Sequence, residues 1–121
     1  MIVGWMVRAL AVAISALGGA ASAQDVEIGK QVFAACAPCH AADRNGVGPK
    51  ISGVLNRTAG SVEGFRYSRA MKNSSIVWDE KSLDAYLAEP QKSVPGNLMP
   101  FSGIADAQRR RDLIGYLGTL K

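Results

Sequence analysis

The residues with the clearest chemistry form one pentapeptide, Cys36-Ala37-Pro38-Cys39-His40, in a chain of 121 residues. Two thiols three residues apart on a helical turn can each add to one vinyl group of a porphyrin. The imidazole that follows then lies beneath the iron as its proximal ligand. Cys-x-x-Cys-His is accordingly the attachment motif of c-type haem. We therefore predict one haem c, covalently attached through Cys36 and Cys39, with His40 as an iron ligand.

Two other kinds of site use the same residue types. A thioredoxin-like Cys-x-x-Cys lies in a strand–helix–strand setting, and no strand alternation surrounds this motif. A structural zinc site needs four ligands, whereas the sequence has two cysteines and one histidine, so only carboxylates could complete the shell. Both alternatives are weaker than haem attachment, although Cys-x-x-Cys-His also occurs by chance.

The opposite iron ligand is predicted to be a methionine. Because His40 is the single histidine, two histidine ligands are excluded, and methionine is a usual partner of histidine on c-type haem. Met71 falls in a predicted short helix, where methionine most often fills core space. Met99 lies between Pro95-Gly96 and Pro100, in a loop 59 residues after His40, and can reach the other face of the ring. We predict Met99 as the distal ligand.

Residues 1–23 are predicted to be a cleaved signal peptide. Seventeen of these 23 residues are apolar, Arg8 is their one charge, and they end in Ala21-Ser22-Ala23, a small-x-small pattern typical of signal peptidase sites. The uncharged run Ala9–Ala23 has 15 residues, fewer than the roughly 20 that span a bilayer. An uncleaved membrane anchor is therefore the weaker alternative. Because a signal normally begins with its charge, we also hypothesise that translation starts at Met6. Export would place the protein in the periplasm.

Residues 24–121 are predicted to form one domain that needs internal support. These 98 residues include 41 apolar residues and 10 glycines and carry a net charge of +3, against +4 for the whole chain. A domain of this size buries little apolar surface. The number of residues is also too small for a multidomain enzyme or a polytopic membrane protein. A haem would supply both core volume and covalent restraint.

The hydrophobic spacing predicts an all-α domain of short helices joined by long loops. A first helix starts at an Asp25 cap and ends near Pro38, a second is capped by Ser68, a third runs from Asp79 or Glu80 to Pro90, and a last is capped by Asp106. Residues 90–103 are predicted to be loop. The predicted apolar faces are Leu83, Tyr86 and Leu87 in the third helix and Leu113, Tyr116, Leu117 and Leu120 in the last, whose Arg109-Arg110-Arg111 is predicted to be a solvated face.

Taken together, the motifs resemble class I cytochrome c, in its mitochondrial-like bacterial branch. The matching residues are Cys36-Ala37-Pro38-Cys39-His40, Gly48-Pro49, Arg57, Tyr67-Ser68, Trp78, Tyr86-Leu87 and Pro95-Gly96-x-x-Met99. The resemblance extends from about Gly29 to Leu120. It implies the small cytochrome c fold, with three to five short helices and long loops wrapped around one covalently bound haem.

The resemblance also implies roles for residues around the haem. Pro49 would accept a hydrogen bond from the His40 ring, and Tyr86 would lie near the Met99 sulphur. Arg57, Tyr67 and Trp78 would meet the haem propionates. Gly29 would allow the first and last helices to cross, with Phe33 packed against Leu113 and Tyr116. Without the resemblance, Trp78 and Tyr86 would be interpreted as core aromatics and Arg57 as a surface charge.

Some positions depart from the family pattern. Many relatives have Thr and Lys where this chain has Asn97 and Leu98, and a frequently seen asparagine near the propionates is replaced by Met71. The loop after His40 is shorter than in mitochondrial members. Of the lysines that surround the haem edge in those members, Lys30 and Lys92 remain.

The predicted function is that of a periplasmic single-electron carrier and not an enzyme. An iron with His and Met ligands has no open position for a substrate, but it can pass electrons through an exposed haem edge. The expected partners are redox proteins: a quinol-oxidising cytochrome complex, a terminal oxidase, a photosynthetic reaction centre or a dehydrogenase. We expect a monomer that meets membranes only transiently through its partners and binds no nucleic acid. The alternatives are a haem subunit of a dehydrogenase complex or, if Met99 does not bind iron, a ligand-binding or peroxidatic haem protein.

Overall fold

The computed structural model describes residues 11–14 and 23–121. Its five helices are α1 (Val26–Phe33), α2 (Arg69–Lys72), α3 (Glu80–Ala88), α4 (Pro90–Ser93) and α5 (Ala107–Thr119). The described residues contain no strand, only an isolated bridge between Thr58 and Val77. The all-α prediction is therefore confirmed. Most of the predicted signal peptide, residues 1–10 and 15–22, lies outside the described residues.

Polar caps fix where the longer helices begin. The Asp25 carboxylate accepts hydrogen bonds from the backbone of Glu27 and Ile28 at the start of α1. Asp79 forms a reciprocal capping box with Ser82 at α3, and Asp106 accepts from the Arg109 backbone at α5. Each carboxylate satisfies N–H groups that the helix leaves unpaired, which is why these starts were predictable.

Helices α1 and α5 cross in close contact. A β-carbon added at Gly29 would overlap the backbone of Asp112, so the crossing needs a glycine there. The buried Asp112 carboxylate accepts from the Asp25 backbone N–H at 2.9 Å and from Gln108 at 2.8 Å. Phe33 packs on Tyr116 with ring centroids 5.3 Å apart. The contact between Asp112 and Asp25 has no local signal in the sequence, because the two residues are 87 positions apart.

Three local predictions are corrected. Helix α1 ends at Phe33 and continues as turns, so the segment before Pro38 is not all α-helical. Residues Pro90–Ser93 form α4 and not loop, because proline is favoured in the first turn of a helix. Arg110 is not on a solvated face. Its side chain is 13% exposed and pairs with Asp84 of α3 at 2.8 Å.

The core lies between α1, α3 and α5. Its buried side chains include Val32, Trp78, Leu83, Tyr86, Leu87, Leu113, Ile114 and Leu117. Tyr116 and Leu120 of the predicted α5 face are only partly buried, and the buried Ile114 was not predicted. In the part of the chain that the structure describes, no helix combines the length and apolar character needed to cross a membrane.

Candidate functional site

All nine predicted site residues line one cavity of about 290 Å³. They are Cys36, Cys39, His40, Pro49, Arg57, Tyr67, Trp78, Tyr86 and Met99. They come from the segment after α1, from two loops and from α3, and lie as many as 63 residues apart in sequence. The fold therefore brings together side chains that the sequence could only relate by pattern.

The His40 ring is held by the loop that follows it. Its Nδ1 lies 2.9 Å from the carbonyl oxygen of Pro49, which fixes the ring orientation and leaves Nε2 for a metal ion. The backbone N–H of Gly48 donates to the carbonyl of Cys39 at 2.8 Å. A β-carbon at Gly48 would overlap the imidazole. The Gly48-Pro49 pair thus provides space for the ring on one side and a hydrogen-bond acceptor on the other.

The two cysteines lie at the turns that follow α1. The backbone N–H groups of Cys39 and His40 both donate to the carbonyl of Cys36, at 3.1 and 2.9 Å. Both cysteines are partly buried, and they form no disulfide with each other. Burial, and secondarily the nearby Cys39, raises the pKa of the Cys36 thiol. The tight turn places both thiols and the imidazole on the cavity wall.

Met99 approaches the cavity beside two aromatic residues. The hydroxyl of Tyr86 donates to the Met99 sulphur over 3.8 Å, and the Tyr86 ring packs against Trp78 with centroids 4.9 Å apart. Burial raises the pKa of Tyr86 to about 12, so the hydroxyl keeps its proton at neutral pH. A hydroxyl that donates to this sulphur helps to hold the thioether in one orientation.

Arg57 supplies positive charge at the cavity wall. Its guanidinium donates to the carbonyls of Ser52 and Lys50 at 3.1 and 3.0 Å. Burial lowers the pKa of Arg57, and the Tyr67 hydroxyl partly offsets this effect; the group remains charged at neutral pH. The Tyr67 oxygen accepts from the Val62 backbone at 3.1 Å, so its own O–H is available to another acceptor.

Some lining residues were not predicted as part of the site. Met71, interpreted from sequence as core filling, packs against the core and also lines the cavity. Val47 and Leu98 line it while being 74% and 77% exposed, and exposed Arg66 adds a second cation. Methionine and valine are common in ordinary cores and loops, so their residue types alone did not indicate a place at this site.

The donor set and walls fit a covalently attached haem. Two thiols, an imidazole and a thioether are the groups that attach and ligate a c-type haem, and Phe33, Leu83 and Leu113 supply apolar walls. Among the described residues that line the cavity, none is acidic, as an environment for two propionates requires. The structure does not support a zinc site. Among residues 11–14 and 23–121, no three histidine, cysteine or acidic side chains lie close enough together to hold a metal ion.

The sequence and structure match known proteins over most of the chain. The family model for cytochrome c matches residues 26–121. The chain is 45% identical over 102 residues to cytochrome c2 of Rhodoblastus acidophilus, covering 82% of this chain and 95% of that protein. It is 43% identical over 100 residues to cytochrome c2 of Blastochloris viridis, covering 80% and 79%. Among solved structures, cytochrome cH from Methylobacterium extorquens matches with a TM-score of 0.77 and 43% identity, over 78% of this chain and 98% of that one. This match confirms the predicted fold.

Proposed function

Because this chain belongs to the cytochrome c family and is an electron-transfer protein, not an enzyme, we propose that it is a periplasmic single-electron carrier. It holds one haem c, attached through Cys36 and Cys39, with His40 and Met99 as iron ligands. The mature protein is residues 24–121, released from the predicted signal peptide 1–23, and acts as a monomer.

The observation that carries the proposal is that His40 and Met99 line the same cavity and that each contacts another residue of the chain. Pro49 orients the imidazole from behind, and Tyr86 contacts the thioether sulphur. Two ligands that the protein holds in this way need little rearrangement when the iron changes its redox state. Small rearrangement is what a carrier needs, since ligands that stay in place in both redox states keep electron transfer fast.

When bound, the haem would supply one-electron chemistry through its iron. The residues of the chain set the conditions for it. The Met99 thioether and the apolar walls disfavour the extra positive charge of the oxidised site, so we expect a reduction potential that is high for a haem protein. Arg57, Tyr67 and Trp78 would face the propionates, as the family resemblance implies.

The cavity mouth is the surface through which electrons would pass. Exposed Val47 and Leu98 and the cation Arg66 lie at this mouth. We propose redox proteins as partners: a quinol-oxidising complex on the donor side, and a terminal oxidase, a reaction centre or a dehydrogenase as the other partner. The net charge of +3 for residues 24–121 favours acidic partner surfaces only modestly.

Spectroscopy and redox titration of the purified, matured protein test this proposal. We expect a reversible one-electron titration, and in the oxidised protein a far-red absorption band from methionine-to-iron charge transfer. A high-spin oxidised spectrum without this band, together with rapid binding of cyanide, would instead favour the ligand-binding alternative. Recovery of the protein only in a fixed complex with a dehydrogenase would favour the subunit alternative.

A further inference from the structure

The loop that carries Met99 is fastened to α4 by a buried amide. Asn97 is 6% exposed. Its Nδ2 donates to the carbonyls of Pro90 and Val94, at 3.0 and 2.9 Å. Its Oδ1 accepts from the backbone N–H of Met99 at 3.0 Å. Both donors of the amide and one of its acceptor positions are therefore used within this loop.

A second amide braces the same loop from the solvent side. Gln91, exposed on α4, donates from Nε2 to the carbonyl of Asn97 at 2.9 Å. Its Oε1 accepts from the backbone N–H of Gly96 at 3.1 Å, where the backbone has a φ of +88° that suits glycine. Together the two side chains make five hydrogen bonds: three join α4 to the loop, one joins Asn97 to Val94 at the end of α4, and one joins Asn97 to Met99 within the loop. We call Asn97 and Gln91 the amide clamp.

We propose that the amide clamp is the positioning device for the distal ligand, holding the Met99 backbone so that its sulphur stays at the iron. This inference rests on the proposed function, because it takes Met99 as an iron ligand. For the sulphur to leave, the loop must open locally, and opening breaks the Asn97–Met99 hydrogen bond and exposes partners that were paired. The clamp therefore makes departure of the sulphur rarer.

The residue type at position 97 is part of the inference. A threonine or serine hydroxyl has one proton to donate, whereas the Asn97 amide donates to two carbonyls while it accepts from a third group. Neither hydroxyl residue could make all three contacts. The asparagine that departs from the common family pattern is thus explained by the geometry of this loop.

The test measures how fast added imidazole binds to the oxidised haem protein, since imidazole can bind only when Met99 has left. Losing two or three hydrogen bonds of about 1 kcal/mol each corresponds to about a 30-fold to 160-fold rise in this rate for Asn97→Ala. Gln91→Ala, at an exposed position where folding is safe, should give a smaller rise. Lys92→Gln, on the same helix but outside the clamp, is the matched control and should leave the rate unchanged.

Asn97→Asp gives a signature that general destabilisation would not produce. An ionised carboxylate keeps an acceptor for the Met99 N–H but faces the carbonyl oxygens of Pro90 and Val94 without a donor. Protonation restores one donor. We therefore expect the imidazole rate of this variant, relative to wild type, to fall as the pH is lowered through the carboxyl range. For Asn97→Ala, the rate of imidazole binding relative to wild type should not change over the same pH range.

The outcomes separate the two proposals. If wild type shows no far-red band, Met99 is not a ligand and the proposed function itself fails. If wild type shows the band but Asn97→Ala and Gln91→Ala both bind imidazole at the wild-type rate, the clamp is refuted and the ligand stands. If Asn97→Ala does not mature, the rates for Gln91→Ala and Asn97→Asp decide.

Discussion

His40 is positioned by two small features of its own loop, and this makes a steric prediction possible. Gly48 lies so close to the imidazole that an added β-carbon would overlap the ring, whereas the nearest atom to a β-carbon at Gly46 is 3.9 Å away. Neither glycine has the positive φ that would favour glycine by itself. Glycine is therefore needed at position 48 because a larger residue would overlap the His40 imidazole.

Gly48→Ala should displace the His40 ring and destabilise the folded haem protein by about 1–3 kcal/mol, the usual range for overpacking. Urea unfolding followed by the haem absorption would measure this. Gly46→Ala is the matched control and should unfold at the wild-type urea concentration. Equal midpoints for the two variants would show that the ring tolerates a methyl group at position 48.

The two methionines at the cavity can be separated by volume-conserving substitutions. Met99→Leu should remove the far-red band, lower the reduction potential and allow rapid binding of added ligands, because leucine has no sulphur. Met71→Leu should retain the band, with a cost in stability below about 1.5 kcal/mol. The measurements are the oxidised absorption spectrum and a redox titration. Loss of the band in Met71→Leu and not in Met99→Leu would assign the ligand to Met71 of α2.

At the scale of elements, one arginine joins three parts of the chain. The Arg110 Nε on α5 pairs with Asp84 on α3 at 2.8 Å. One terminal nitrogen of the same guanidinium donates to the carbonyls of Ile104 and Ala105, at 2.8 and 3.0 Å. These carbonyls end the loop that begins at α4 and carries Met99. Arg110 therefore connects the packing of α3 on α5 to the position of the loop that carries Met99.

Arg110→Gln should lower the free energy of unfolding by about 2 kcal/mol, since it removes charge-assisted hydrogen bonds from a side chain that is mostly buried. Arg109→Gln, one residue earlier and exposed, is the matched control and should change the free energy by less than about 0.5 kcal/mol. Chemical unfolding measures both. A similar small loss for the two variants would mean that Arg110 is energetically a surface residue.

The helix caps predict how stability depends on pH. Backbone hydrogen bonds from Ser82 and Arg109 lower the pKa values of Asp79 and Asp106, respectively. A carboxyl whose pKa is lowered by folding stabilises the protein above its ordinary pKa, near 4, and this contribution is lost as the pH falls through the lowered value. The fold should therefore lose stability below about pH 4.

The Asp79→Asn, Asp106→Asn double variant should lose less stability than wild type between pH 6 and pH 3, because asparagine caps a helix without titrating. Urea midpoints across this range provide the measurement. Asp43→Asn, in an exposed loop away from helix ends, is the control and should follow wild type. If the urea midpoint of the double variant falls between pH 6 and pH 3 as steeply as that of wild type, the two caps do not cause the pH dependence.

Much of the element level was predictable because it depends on local signals. Asp25, Ser68, Asp79 and Asp106 each cap the helix that the sequence predicted them to cap. Helix ends were less predictable, and Pro90 begins a helix where the pattern predicted only a stop. Contacts that depend on distant residues, such as those of Arg110, have no local signal.

The site, like the helices, was predictable from sequence where a motif or the family resemblance pointed to a residue. The Cys36–His40 motif predicted three of the residues that line the cavity, because its spacing follows from the chemistry of haem attachment. Met99 was predicted from its position between Pro95-Gly96 and Pro100, and it lines the same cavity. The family resemblance added the residues around them. The amide clamp could not be foreseen, since the three partners of Asn97 are defined only when the loop closes on α4.

At the scale of the whole molecule, the cavity is the centre around which the short helices and long loops are arranged. Core residues such as Leu83 and Leu113 serve both the packing between helices and the cavity wall. Short helices of this kind are marginal alone, so we infer that the haem would be part of the core as well as the redox centre. The chain without haem should therefore be much less ordered than the mature protein.

Acid–acetone extraction of the purified, matured protein distinguishes covalent from coordinated haem, because it removes haem that is held only by ligation. We expect the red pigment to stay with the polypeptide, since two thioether bonds at Cys36 and Cys39 survive the treatment. Pigment that passes into the acetone, or a matured protein that is colourless from the start, would show that no haem is covalently attached to this chain.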